Sequence, residues 1–386
     1  MTGRIYLDYQ ATTPLDPKVR EVMAPYLEDR FGNPHSEHVF GWEAAEAVEE
    51  AARHVAVLIG ADAGEIVFTG GATEANNLAI QGVARSDDRR GNHIVTTAIE
   101  HKCVLNTALS LENWGFTVDV IPVDRRGRVD VAVLKGALKD DTALVSVMMA
   151  NNEVGTLQPI AEIGALCRER GIVFHTDAAQ AVGKVEIDVA QLNIDLLSLS
   201  GHKIYGPKGI GALFVSRHCP TRLAPLIVGG AQQRGLRAGT VAPFLCAGLG
   251  EACRIASAEY AQERAHCEAL RDTFWSALSA RFPNAAINGD PVHRLPNNLN
   301  ISFPGSDADS LLASVQGEIA ASTGSACNAG LVESSYVLLA LGLTLEEANS
   351  SMRFGFGRFT STEDVVRAAS LLADKAVRFN EIRAAS

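Results

Sequence analysis

The chain has 386 residues, 47% of them hydrophobic and 20% charged, enough to bury a large core and too many for one small domain, so two domains are expected. Its 34 basic and 45 acidic side chains leave a net charge of −11, which disfavours an electrostatic grip on nucleic acid or an anionic membrane. Apolar runs such as residues 143–150 fall far short of the roughly 20 residues that span a bilayer, which excludes a membrane-spanning helix.

The first residues carry Asp8 where a secretory leader needs an apolar stretch, and they lack the Arg and Ser richness of a transit peptide. No export or import is expected. From about residue 17 to 215 the pattern alternates between amphipathic helical segments and short β-branched runs. Residues 42–60 predict a helix, 65–69 a strand and 72–83 a helix; 93–97, 116–123, 143–149, 172–176, 196–200 and 211–215 predict further strands. Such alternation implies an α/β fold with a mostly parallel, seven-stranded sheet covered by helices. Ligands in these sheets sit beyond the carboxyl ends of the strands. Residues 241–282, nearly free of Pro and Gly after Pro243, predict one or two long helices that bridge to a second unit. The tail adds strand-like stretches at 299–303 and 351–356, a Gly/Ser/Ala-rich segment at 322–330, and a last helix from Thr362, which together form a smaller α+β unit. The division expected is 13–258 for the larger unit and 1–12 with 259–386 for the smaller.

Several segments just past predicted strands carry residues suited to chemistry. Phe68-Thr-Gly70-Gly71-Ala72-Thr73 reads as a strand, a Gly pair and a helix start, an arrangement whose free backbone N–H groups suit a phosphate. Many helix starts look the same. No P-loop and no Gly-x-Gly-x-x-Gly helix start occurs. His101, in Ile99-Glu-His101-Lys-Cys103, follows the 93–97 strand as either a polar loop residue or an imidazole lying against a cofactor ring; Cys103, followed by Val104 and Leu105, reads as core. Asp177 ends an apolar run, where it either caps the next helix or holds a proton on a pyridine nitrogen, as pyridoxal phosphate requires of an electron sink. Lys203, between His202 and the glycines of Gly206-Pro-Lys-Gly209, is either a solvated loop lysine or an amine that links covalently to an aldehyde cofactor.

Seven cysteines, at 103, 167, 219, 246, 253, 267 and 327, form no Cys-x-x-Cys pair, so neither a disulfide framework nor a zinc site is expected, and no metal. A reducing, cytoplasmic setting suits free thiols. Cys246, Cys253 and Cys267 fall at multiples of seven, which places them on one helical face as core. Cys327 differs. Its neighbours in Thr323-Gly-Ser-Ala-Cys327-Asn-Ala-Gly330 are small, and a thiol on such a segment is either buried structure or a group that travels to a substrate.

Taken together, these motifs closely resemble the cysteine desulfurases of the NifS/IscS kind, within class V of the fold-type I pyridoxal-phosphate enzymes. The likeness runs from Tyr6-Leu-Asp-Tyr-Gln-Ala-Thr-Thr-Pro14 through Phe31-Gly-Asn-Pro34 and Ser36-Glu-His38 to Met352-Arg-Phe-Gly-Phe-Gly-Arg358. It covers nearly the whole chain.

The resemblance implies a pyridoxal 5'-phosphate enzyme that removes sulfur from free L-cysteine, releases L-alanine and leaves a persulfide on Cys327. Lys203 would carry the cofactor, Asp177 would pair with the pyridine nitrogen, Gln180 would bond the ring hydroxyl oxygen, and His101 would stack on the ring. Ala72, Thr73, Ser200, His202 and Thr240 would hold the phosphate, Thr240 from the other subunit of a homodimer. Asn152 and Arg353 would receive the substrate carboxylate. A selenocysteine lyase or class V aminotransferase is the alternative on the same scaffold, and Cys327 argues against the aminotransferase. A sulfur-relay or scaffold protein without catalysis is a third reading, opposed by the joint presence of Lys203, Asp177, His101, Arg353 and Cys327. Gly70, Asn328 and Ser334 depart from the residues usual in the family, without removing a required group. Longer members carry an extension beyond the last helix that docks an iron–sulfur scaffold, whereas this sequence stops at Ser386; the expected partner is a sulfur acceptor such as that scaffold, not specified further.

Overall fold

The structure, a computed structural model, describes residues 3–323 and 334–385, with side chains up to 383. After β1 (Ile5–Tyr6) come α1 (Pro17–Met23), with Asp16 accepting from the Lys18 backbone N–H at its start, and α2 (Val39–Ile59). The second helix stops where Gly60 turns left-handed at φ 69°, a conformation that costs glycine nothing. Strands and helices then alternate: β2 (Ile66–Thr69), α3 (Ala72–Ala84), β3 (His93–Thr97), α4 (Lys102–Ser110), β4 (Thr117–Ile121), α5 (Val131–Ala137), β5 (Thr142–Ser146), α6 (Ile160–Arg170), β6 (Val173–Asp177), β7 (Leu196–Ser200) and β8 (Gly211–Val215).

Among the described residues, strands β2 to β8 form a seven-stranded sheet in the order β2-β8-β7-β6-β5-β3-β4. β8 runs antiparallel to both neighbours, and the other pairings are parallel. Alternation along the strands sends Ile66, Phe68, Phe174, Leu197 and Phe214 into one apolar layer beneath α2, α6 and α7 (Pro243–Ala258). Val67, Val173, Leu196 and Leu213 enter a second layer, under α3 and α4. A sheet covered on both faces explains why β5, β6 and β7 are buried along their whole length and read as nearly unbroken apolar runs.

α7 and α8 (Tyr260–Arg281) are separate helices, parted at Glu259. Cys246 and Cys253 pack from α7 into the large core and Cys267 is buried on α8; the three do not share one helical face, because the break at Glu259 interrupts the period on which that expectation rested. Beyond α8, β9 (Ala286–Asn288), β10 (Asn298–Ser302), β12 (Ser322–Thr323) and β13 (Ser351–Gly355) make an antiparallel sheet in the order β12-β13-β10-β9. With it come α9 (Ala308–Ala313), β11 (Ile319–Ala320), α10 (Tyr336–Ala340), α11 (Leu345–Asn349) and α12 (Thr362–Ala385). This sheet has its own apolar core, built on Leu270, Phe274, Phe354 and Leu372, which also takes in Ile5 and Leu7. β1 pairs parallel with β11, so the N-terminal segment is threaded into the smaller unit. Among the described residues, no helix is long and apolar enough to cross a membrane.

Candidate active site

The C-terminal ends of β2, β3, β5, β6 and β7 open on one side of the sheet, and the turns that follow them wall a cavity of about 1020 Å³. The small unit supplies the opposite wall through Asp8, Ser322 and Arg353. Ala72, Thr73, His101, Asn152, Asp177, Gln180, Ser200, His202, Lys203 and Arg353, all expected from the sequence, line this one space. Thr240 does not; it is exposed outside the cavity of its own chain. Cys327 lies outside the described residues, although Ser322, five residues before it, stands in the cavity wall.

Each side chain is placed by the element that precedes it. β6 ends on Asp177, whose carboxylate accepts from the Ala179 backbone N–H at 2.9 Å and from Asn76 Nδ2 at 2.7 Å. The short turn Gly201–Lys203 after β7 brings Lys203 forward, and its Nζ donates to the Gln10 and Ala11 carbonyls at 2.5 and 2.8 Å. Gln180 also reaches the Gln10 carbonyl, through Nε2 at 2.9 Å. His202 bonds Thr12 Oγ1 at 3.1 Å, and burial, with Lys203 and other lysines nearby, pushes its imidazolium pKa down to about 4. It is neutral at physiological pH, a hydrogen-bonding group instead of a charge.

α3 begins at Gly71, which takes φ 143° and offers no side chain to cap the helix. The N–H groups of its first turn therefore face the cavity beside Thr73 and Ser200, a positive helix end suited to an anion. Arg353 pairs with Asp8 at 2.8 Å and donates to the Asn152 carbonyl at 3.2 Å. His101 caps α4, its Nδ1 accepting from the Cys103 backbone N–H at 3.2 Å. The covering protein pulls its pKa below the ordinary value; Asp177 opposes that shift, and Lys203 and Lys102 add to it.

A cofactor of the pyridoxal phosphate type needs an amine, an acid for its ring nitrogen, an anion cradle and polar partners for its ring substituents. The cavity holds the first three in Lys203, Asp177 and the start of α3. It also holds two buried oxygens, Gln180 Oε1 and Asn152 Oδ1, that have no hydrogen-bond partner among the described residues. Unpartnered buried oxygens cost free energy unless something supplies a donor. The residues fit the group.

Reading the sequence missed Cys103, Asn76 and Asp8. Cys103 packs against the apolar layer under α3 and α4, as its apolar neighbours suggested, but it also lines the cavity, with its Sγ 2.9 Å from His101 Nδ1. Asn76 carried a visible signal: it is a polar residue on the buried face of α3, among Ala75, Leu78 and Ala79.

Comparison with known proteins points the same way. Residues 5–367 match the model of the aminotransferase class-V family. The cysteine desulfurase IscS of Rickettsia bellii is 50% identical over 379 residues, covering 98% of this chain and 92% of that protein. Among solved structures, a NifS-like protein superposes with a TM-score of 0.88 at 35% identity, covering 99% of this chain and all of the other. SspA in complex with cysteine superposes with a TM-score of 0.81 at 39% identity, covering 92% of this chain and all of that one.

Proposed function

We propose, on the premise that the chain belongs to the class-V aminotransferases and among them to the cysteine desulfurases, that it takes sulfur from L-cysteine with pyridoxal 5'-phosphate as cofactor and passes it on as a persulfide on Cys327. The observation that carries this reading is the meeting of Lys203, Asp177, His101 and Arg353 around one cavity, from four separate parts of the chain. Support for cysteine as substrate comes from a similar protein solved with cysteine.

Pyridoxal phosphate, when bound, supplies an aldehyde that takes up an amine and a ring that draws electrons from the α-carbon of an amino acid. Lys203 would hold it covalently, and Asp177 would keep its ring nitrogen protonated. Gln180 and His101 would hold the ring, while Ala72, Thr73, Ser200 and neutral His202 would bond the phosphate. Arg353, whose planar fork bonds a carboxylate at two points, would orient the substrate with Asn152. Released from the cofactor, the Lys203 amine would be the base that moves the α-proton, and His101 would exchange a proton with the substrate sulfur. The Cys327 thiolate attacks that sulfur: the substrate Cβ–S bond breaks, an S–S bond forms, Cβ gains a proton, and alanine leaves. The described thiols are poor candidates for the attack, since burial pushes Cys103, Cys167, Cys219 and Cys267 up to about 12.

The two apolar cores support a division into 13–258 and 1–12 with 259–386. Thr240, exposed outside its own cavity, suits a phosphate contact across a homodimer. A reducing cytoplasm suits the free thiols at the described positions, and the acceptor is a protein that takes a persulfide, an iron–sulfur scaffold being one such class.

Wild type incubated with L-cysteine is expected to release alanine and carry protein-bound persulfide, Cys327→Ala to lose both by at least about a hundredfold, and Lys203→Ala to lack the visible absorption of bound cofactor. Sulfide and alanine production by Cys327→Ala at the wild-type rate would overturn the persulfide assignment.

A further inference from the structure

Asn76 and Cys103 have no part in the roles above, yet they join two residues that do. Asn76 is fully buried on α3; its Nδ2 donates to Asp177 Oδ2 at 2.7 Å and to Cys103 Sγ at 3.1 Å. An amide nitrogen carries two hydrogens, so both bonds form together. Cys103 Sγ lies 2.9 Å from His101 Nδ1, and the Cys103 backbone N–H donates to the same nitrogen at 3.2 Å. One arrangement satisfies these contacts together, with the Thr73 hydroxyl as a further partner of the sulfur. The sulfur accepts from Asn76 and turns its S–H toward Nδ1, while Nδ1 is the acceptor for both the thiol and the backbone.

We propose that Cys103 and Asn76 are positioning residues that lock His101 as the tautomer with its proton on Nε2 and tie the ring to the Asp177 carboxylate. The catalytic meaning of this lock rests on the cysteine desulfurase reading; the tautomer itself is a property of the chain. The thiol stays protonated, because burial and the nearby Asp177 charge push it up to about 12. It is therefore a donor, and Nδ1 of the ring is committed as its acceptor. An imidazolium would have to place a hydrogen on Nδ1, against both the backbone N–H and the thiol. The clasp thus favours the neutral ring. Burial, Lys203 from the turn after β7 and Lys102 from α4 itself act in the same direction, and Asp177 from β6 acts against it. His101 is left with a single N–H, at Nε2, to offer in proton exchange.

Serine keeps a donor at this position and alanine does not, so the two variants separate hydrogen bonding from packing. Cofactor-loaded wild type, Cys103→Ser and Cys103→Ala, with 15N in the histidine rings, are to be compared by NMR across pH, alongside the pH profile of kcat/KM for L-cysteine. The wild type and Cys103→Ser should show Nδ1 unprotonated and Nε2 protonated in the neutral ring. Cys103→Ala should mix the tautomers and move the His101 titration, and the kcat/KM limb it governs, to higher pH by about half a unit. A wild-type neutral ring protonated on Nδ1, or a Cys103→Ala ring unchanged in tautomer and titration, overturns the proposal. Should Cys103→Ala fail to fold, the wild-type spectrum still decides. A wild type that makes no alanine from L-cysteine would sink the functional reading while leaving the NMR result to stand or fall by itself.

Discussion

Glu100, the residue before His101, is fully buried: its Oε1 accepts from Thr97 Oγ1 at 2.7 Å and from the Met148 backbone N–H at 2.8 Å, and its Oε2 has no partner among the described residues. Burial pushes its pKa from 4.5 to about 8. The folded chain therefore keeps a proton that the unfolded chain has already released. This contribution to stability is fully present below about pH 4.5 and is lost as pH rises through about 8, since stability falls wherever the native state binds more protons. Glu100→Gln stays neutral throughout, so thermal melts of the variant should decline less than those of wild type over that window. Parallel declines would place the pH dependence elsewhere. At this scale the sequence revealed residues whose position after a strand is itself the signal, Asp177 and Lys203 above all. It could not reveal Cys103, whose partners come from α3 and from the residue that caps its own helix, and whose apolar followers Val104 and Leu105 pointed toward the core.

α2 and α7 pack closely enough that a Cβ on Gly250 would stand 2.6 Å from the Ala51 Cα and 2.9 Å from its Cβ. The obstruction is backbone, so the helices must part. Gly250→Ala is expected to cost about 1–3 kcal/mol in denaturant melts, with turnover of L-cysteine kept where the protein stays folded, because the cavity lies beyond the strand ends and is lined by neither α2 nor α7. A variant as stable as wild type would mean that the helix pair yields more easily than its geometry suggests. Elements were the most legible level. The strands at 93–97, 196–200 and 211–215 stand where their β-branched and apolar runs end. By contrast, 116–123 and 143–149 are shorter in the structure, as Thr117–Ile121 and Thr142–Ser146, because apolar residues continue past the last ladder bond, Val123 into the core and Met148 into the cavity wall. The reversed direction of β8 had no signature, since side-chain alternation is the same for a strand run either way.

At the scale of the molecule, Phe31, Val39, Phe40 and Trp42 lie exposed together near the start of α2, with the rings of Phe31 and Phe40 stacked at 5.6 Å. Clustered exposed aromatics suit an interaction surface, and in the proposed homodimer a second copy of the chain would cover them and bring Thr240 to a cavity. Sedimentation should give twice the chain mass of 41.0 kDa, and Phe40→Asp with Trp42→Asp should shift it toward the monomer and weaken cofactor retention. A monomeric wild type would remove the case for a shared phosphate site. The switch in pattern near residue 241 is the sequence signal on which the proposed division into two units rests. The expectation grouped residues 1–12 with the smaller unit, where Ile5 and Leu7 sit in its core, but spacing could not convey the contacts they make: Asp8 pairs with Arg353, and the Gln10 and Ala11 carbonyls grip Lys203. This meeting has a consequence for how the protein is born. Synthesis delivers the first dozen residues long before their partners in β11 and β13, so on the ribosome the N-terminal strand has nothing to pair with. The seven-stranded sheet can assemble early; Asp8 meets Arg353, and Ser322 and Arg353 close the cavity wall, only when the chain is nearly complete, which makes that closing one of the last events in maturation.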